Sequence, residues 1–511
     1  MKKAAKTCAC LALSALIAGG AAIAGEADYT VDLSVFPKGS VNAGVSVHDP
    51  SIVAEDGVYY IFGSHMAAAR SENLRSWNLI ASGYLPSNPV WGNLFAEGSH
   101  VFDYAGSADS LIPTDDRGYH VWAPDVIYND VMGKYCMYYC TSSTWNASNL
   151  CWAVSDRVTG PYEWQGPLIC SGFDKRTIEF TDVCVVVDED YARKTYLNSA
   201  GTYNYNKWPN ALDPAVFFDA EHRLWMVYGS WSGGIFLLEV DPATGKVIHP
   251  EEDRENGVDP YFGKRLMGGN HKSIEGPYIL YDAEAGYYYL FVSYGELRAK
   301  GGYQIRVFRS ETPDGEYTDM FGTRPDGRGL HAPYGLKLSG NYDLPSLRLK
   351  HMATGHNSAL IDADGKRYIC CHTRFDNGTE NHQPMVKQYL LNAEGWPCVL
   401  PYAAWGETVC ENGYGTEKAV GRWYVINQGI DISARIAEPF ILYFREDGTV
   451  DGDGITGDWR NEEGGYHMTV SYGDREFSGV FCAMKDNAGT DVFVFSAVGA
   501  NESLWGVKYD E

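Results

Sequence analysis

Three acids sit in similar short phrases far apart in the chain: Asp49 in VHDPSIV, Asp213 in NALDPAVFFD and Glu275 in SIEGPYI. Breaking a glycosidic bond takes one carboxylic acid to protonate the leaving oxygen and one carboxylate to activate water or attack carbon. Three acids of this kind supply that set. Taken singly each is an ordinary turn opening or a solvated side chain. Their weight comes from a position they share within a repeat.

The repeat is a hairpin. Val47 to Ser64 (VHDPSIVAEDGVYYIFGS) runs from an acid beside Pro through an apolar strand, an Asp/Gly turn and an aromatic strand. Trp122 to Ser143, Leu212 to Ser232 and Ile274 to Gly295 repeat it, and Gly355 to Arg374 is a looser fifth copy. Two alternating strands around an Asp, Glu and Gly turn are a hairpin signal, not a helical one. Five second halves, among them Ala67 to Gly83 and Arg306 to Met320, complete five blades. From Asp49 to Asp125, Asp213 and Glu275 the intervals are 76, 88 and 62 residues, longer than a usual propeller blade. The excess is read as loops, notably Leu85 to Arg117 and Asn341 to Met352, placed over one face. In a propeller the first strand of every blade faces one axis, so Asp49, Asp125, Asp213, Glu275 and His356 should converge.

The chain has 511 residues, 14% of them aromatic, with 36 Tyr and 56 Gly. That favours an all-β protein rich in turns. A formal net charge of -25 argues against nucleic acid and against an anionic membrane surface. Lys2, Lys3 and Lys6 ahead of an apolar run, then Ala22-Ile23-Ala24, read as a cleavable export signal over residues 1–24. The expected product is a secreted or periplasmic monomer. The cysteines follow no metal or redox spacing.

Residues 25–402 are assigned to the propeller. From about position 411 the texture changes to short alternating strands between Gly/Asp turns, which fits a small antiparallel barrel over 411–511. Trp423, Trp459 and Trp505 are read as its core rather than as a sugar platform.

VHDPSIV, WAPDV, NALDPAVFFD, SIEGPYI and GHNSAL, in this order, resemble the five-bladed propeller glycoside hydrolases of family 43. The resemblance is closest to the secreted endo-arabinanases with an added C-terminal barrel, and it extends to GSWSGGIFLLEVD and WYVINQGIDISA. It implies that Asp49 is the general base, Glu275 the general acid, and Asp213 a third acid that orients Glu275 and lifts its pKa. It implies inversion at the anomeric centre. The repeat alone makes Asp125 a candidate for the third acid too; the resemblance instead places it with Trp122 in the substrate wall, the alternative being an acid that caps a turn at a blade opening. Asn210 and Ser230 match sugar-contacting positions, and Trp231 adds an aromatic face or packs the blade. His356 would bind a hydrated calcium ion behind the acids, or be a packed core histidine. The substrate implied is arabinan, cut internally. The alternatives are an exo-acting arabinofuranosidase or xylosidase with the same acids, and a non-catalytic glycan-binding propeller.

Overall fold

The computed structural model of the chain describes residues 28–96, 98–410, 412–462 and 464–510. The export signal assigned to residues 1–24 lies outside them. No helix among the described residues is long and apolar enough to cross a membrane.

The molecule is all-β: five sheets around one axis, followed by a closed barrel. Four of the five are four-stranded meanders. Their innermost strands are Ser51–Glu55, Val121–Asn129, Glu275–Asp282 and His351–Ile361. The third sheet has six strands and begins with Ala215–Phe218. These five inner strands touch one another in cyclic order, the fifth closing on the first.

The second strand of a blade is buried on both faces because each blade is sandwiched between two others. Leu224–Tyr228 and most of Lys134–Ser142 are therefore continuously apolar, where a sheet with one wet face would alternate. Separate apolar cores fill the gaps between successive blades, such as Phe62, Met137 and Tyr139 between the first and second.

The barrel has eight antiparallel strands from Gly421–Asn427 to Glu502–Lys508, and its first and last strands pair. Closure leaves no sheet edge. Trp423 and Trp459 fill its interior with Phe444 and Phe495. Trp505 is equally buried but faces outward, joining Tyr342, Tyr389 and Met385 of the propeller in one shared core. The segment Asn341 to Met352 belongs to this junction and not to a loop over the active face: Tyr342 bridges Ala437 of the barrel.

Candidate active site

One backbone device recurs where each blade meets the axis. Asp49, Ala123, Asp213, Gly276 and His356 all have φ between 41° and 56°. The first four precede a proline, which biases its neighbour toward extended conformations. A left-handed residue other than glycine costs roughly 1 kcal/mol, and such strain gathers at functional sites. Here it turns the chain sharply at the rim of the central tunnel.

The device also fixes how the repeats correspond. The counterpart of Asp49 and Asp213 is Ala123 in the second blade and Gly276 in the fourth. Asp125 therefore lies two residues deeper, level with Ser51, Ala215 and Ser358, and Glu275 stands one residue before its blade's turn. The expectation that Asp125 joins Trp122 in the substrate wall does not match this geometry. Its carboxylate accepts from Ser51 Oγ at 2.6 Å and from the Val216 amide at 2.7 Å. It is 3% exposed, and burial pushes it up to about 6 against those hydrogen bonds. Asp125 stitches three blades together. Asp125→Asn is expected to cost about 1–3 kcal/mol of stability while leaving turnover nearly intact, as thermal melts and initial rates on the same preparation would show.

Asp49, Asp213 and Glu275 line one open cavity of about 510 Å³ with His48, Trp122, Trp145, Ser230 and His356. Asp49 accepts from Ser64 Oγ at 2.5 Å, and its oxygens lie 2.7 Å from His48 Nδ1 and 3.1 Å from His356 Nδ1. Burial alone would raise its pKa. The imidazoles of His356 and His48 outweigh that and hold the carboxyl well below the usual range. Glu275 differs. Ser230 Oγ and Trp231 Nε1 donate to its Oε2 at 3.1 and 2.9 Å, yet burial dominates and its pKa is raised. Asp213, reached by the Gly276 amide at 3.1 Å, is raised to about 7 by burial, with His356 opposing and the charges of Glu275 and Asp49 adding. The centre thus holds one carboxylate kept ionised and two carboxyl groups that favour a proton.

Trp122 is fixed by its Nε1 donating to Ser142 Oγ at 2.9 Å. Asn210 is buried and outside the cavity wall; its Nδ2 donates to the Trp145 carbonyl at 2.8 Å. Trp145 is 55% exposed and packs edge-on against Tyr205 and His271. Trp231 lies beside the same His271. Of this aromatic cluster Trp145 lines the cavity, where its face suits the apolar side of a sugar ring, while Trp231 lies outside the lining. Trp145, His48 and Tyr303, the last lying close to Glu275, carry no repeat signal. His48 could have been marked by its place before Asp49; Trp145 and Tyr303 have no such cue.

Beside the acids a small cavity of about 20 Å³ is lined by Asp49, Asp125, Asp213, His356 and Asn357, among others. It has room for about one water-sized occupant. Asn357 Oδ1 is buried without a hydrogen-bond partner. Carboxylates and an amide oxygen around such a space suit an oxygen-seeking cation. A second set, His48, Asp49 and His372, brings its ligand atoms within 4.8 Å of one another, but its two imidazoles suit a transition metal better than calcium. A larger cavity of about 670 Å³ on the flank of the third blade, walled by Trp208 and Arg265, contains none of the three acids.

Residues 198–397 match the family Glycosyl hydrolases family 43, and residues 401–506 match its C-terminal lipocalin-like domain. The chain is 36% identical over 499 residues to an extracellular endo-α-(1→5)-L-arabinanase of Bacillus subtilis, covering 94% of this chain and 96% of that one. It is 35% identical over 486 residues to an extracellular endo-α-(1→5)-L-arabinanase of Thermotoga petrophila, covering 91% and 94%. The crystal structure of an endo-1,5-α-L-arabinanase from Thermotoga petrophila superposes with a TM-score of 0.78 at 35% identity, covering 93% of this chain and all of that one.

Proposed function

The chain belongs to glycosyl hydrolases family 43, and from that premise we propose that it is an exported enzyme that cuts internal α-1,5 bonds of L-arabinan with inversion. The observation that carries this reading is the meeting of Asp49, Asp213 and Glu275 in one open cavity, with their proton affinities pushed apart. Separation of that kind is how a site holds an acid and a base at one pH.

Asp49 serves as the general base. Ser64, His48 and His356 fix its orientation, and its charge lets it take a proton from water. Glu275 serves as the general acid. With Oε2 occupied by Ser230 and Trp231, its other oxygen is the one to present a proton to the leaving sugar oxygen. Asp213 stands behind Glu275, and its proximity keeps a proton within the pair. Water between base and sugar, opposite the acid, is the inverting arrangement. Trp122 and Trp145 in the cavity lining supply stacking surfaces, and Asn210 bonds the Trp145 backbone.

His356 and Asn357, with the Asp49 and Asp213 carboxylates and not Asp125, whose oxygens are taken up by Ser51 and Val216, would hold one calcium ion. When bound it supplies positive charge beside the acids. Exhaustive chelation is expected to lower both activity and melting temperature, with recovery on adding Ca²⁺ but not Na⁺; unchanged values on both counts would mean that no such ion takes part.

Incubation of the purified protein with linear debranched arabinan tests the activity. A ladder of oligosaccharides is expected early in the reaction. Release of arabinose alone would replace internal cutting with exo action, and no release at all would leave only binding.

A further inference from the structure

One barrel loop, residues 428–437, packs against the fourth blade on the side of the catalytic centre, beside a second contact in which Asn501 and Ser503 bond Lys337. Arg306, fully buried in the fourth blade, donates from Nη2 to the Ile430 carbonyl at 2.6 Å. Gln304 Nε2 and Lys337 Nζ donate to the Asp431 carbonyl at 3.0 and 3.1 Å. The same Gln304 amide donates to the Gly302 carbonyl at 2.9 Å. Gly302 lies so close to the loop that a Cβ there would stand 2.8 Å from the Ser433 carbonyl oxygen. The Asp431 carboxylate holds the loop's shape, accepting from Ser433 Oγ and from Arg435 Nη2.

The residue after Gly302 is Tyr303, buried and clamped on two sides. Its ring fills the space that a side chain at Gly355 would need, 2.2 Å from that missing Cβ, and it stacks on His372. Its hydroxyl sits beside Ser293 and among the carboxyl groups of Glu275, Asp49 and Asp213, close enough to Glu275 to interact with it. A line of close neighbours therefore runs from the barrel loop through Gly302 and Tyr303 to Glu275.

We propose that Tyr303 is a positioning residue for Glu275, and that the barrel loop around Asp431 sets where Tyr303 stands. The barrel then influences catalysis through the fourth blade without touching substrate. The proposal rests on Glu275 being the proton donor. A donor must be held to a fraction of an ångström, and a displacement near 1 Å can cost about 100-fold in rate.

The test uses full-length Tyr303→Phe, Asp431→Ala and the double variant on two substrates. Linear arabinan leaves as a sugar alkoxide and needs a proton. An arabinotrioside of 2,4-dinitrophenol leaves as a stable phenolate and needs none. Phe keeps the ring that fills the Gly355 hollow and removes only the hydroxyl. Tyr303→Phe is expected to lower kcat on arabinan by about 10- to 100-fold, leave KM unchanged, and leave the aryl glycoside nearly as fast. Asp431→Ala should show the same contrast more weakly, and the double variant should be no slower than Tyr303→Phe, because coupled residues are not additive. Equal losses on both substrates, or losses that multiply in the double variant, would overturn the proposal. If Tyr303→Phe does not fold, the substrate contrast in Asp431→Ala decides alone. Glu275→Gln run alongside separates the two levels: equal loss on both substrates there means that the acid itself is misassigned.

Discussion

Asp49→Asn is expected to lower kcat on linear arabinan by about 10³- to 10⁴-fold, the scale of a positioned acid or base, with KM little changed. That is about 4–5.5 kcal/mol of transition-state stabilisation. The expectation follows from what surrounds the carboxylate. Ser64, His48 and His356 all approach Asp49 within 3.1 Å, so its place does not depend on substrate. Asn has the same shape but cannot take a proton from water. It also sets an amide N–H₂ against imidazole nitrogens that now face a carboxylate. Initial rates across a range of arabinan concentrations separate the two parameters. A loss confined to KM would mean that Asp49 only binds sugar.

Glu275→Gln should cost a similar factor on arabinan and very little on a substrate whose leaving group needs no proton. The amide keeps an oxygen for Ser230 and Trp231 to donate to, so the fold and cavity should persist. What disappears is the proton. A general acid is revealed by this dependence on the leaving group, whereas a residue that shapes the pocket slows every substrate alike. The comparison is made by measuring kcat on arabinan and on the dinitrophenyl arabinotrioside with the same enzyme stock. Equal slowing on both would assign Glu275 to binding or structure.

Much of the architecture is written in the repeat. Asp49-Pro50, Asp213-Pro214 and Gly276-Pro277 mark blade openings because a strand entering the axis needs a sharp turn there, and the turn leaves a local trace. The register within the repeat is harder to read. WAPD and HDPS both offer an acid near a proline, but the left-handed residue in the second blade is Ala123, so Asp125 falls two places deeper and is consumed by Ser51 and Val216. The cue is the proline rather than the acid: aligning Pro50, Pro124, Pro214 and Pro277 sets Ala123, not Asp125, opposite Asp49. Trp145 and Tyr303 are not legible for a different reason. Each lies against a residue distant in sequence, Asn210 for one and Glu275 for the other. Those pairings exist only once the blades are assembled. The same holds for Trp505, which reads as barrel interior by its apolar neighbours yet seals the junction with the propeller.

Asp49 and Glu275, in the proposed mechanism, act from opposite sides of the sugar, and water rather than a carboxylate attacks the anomeric carbon. Proton NMR of the newly formed reducing end, recorded within the first turnovers on linear arabinan and before mutarotation, tests that most directly. The β-anomer should appear first and the α-anomer should grow in later. An initial α-anomer would mean retention through a covalent intermediate, and the roles of Asp49 as base and Glu275 as acid in a single displacement would be wrong.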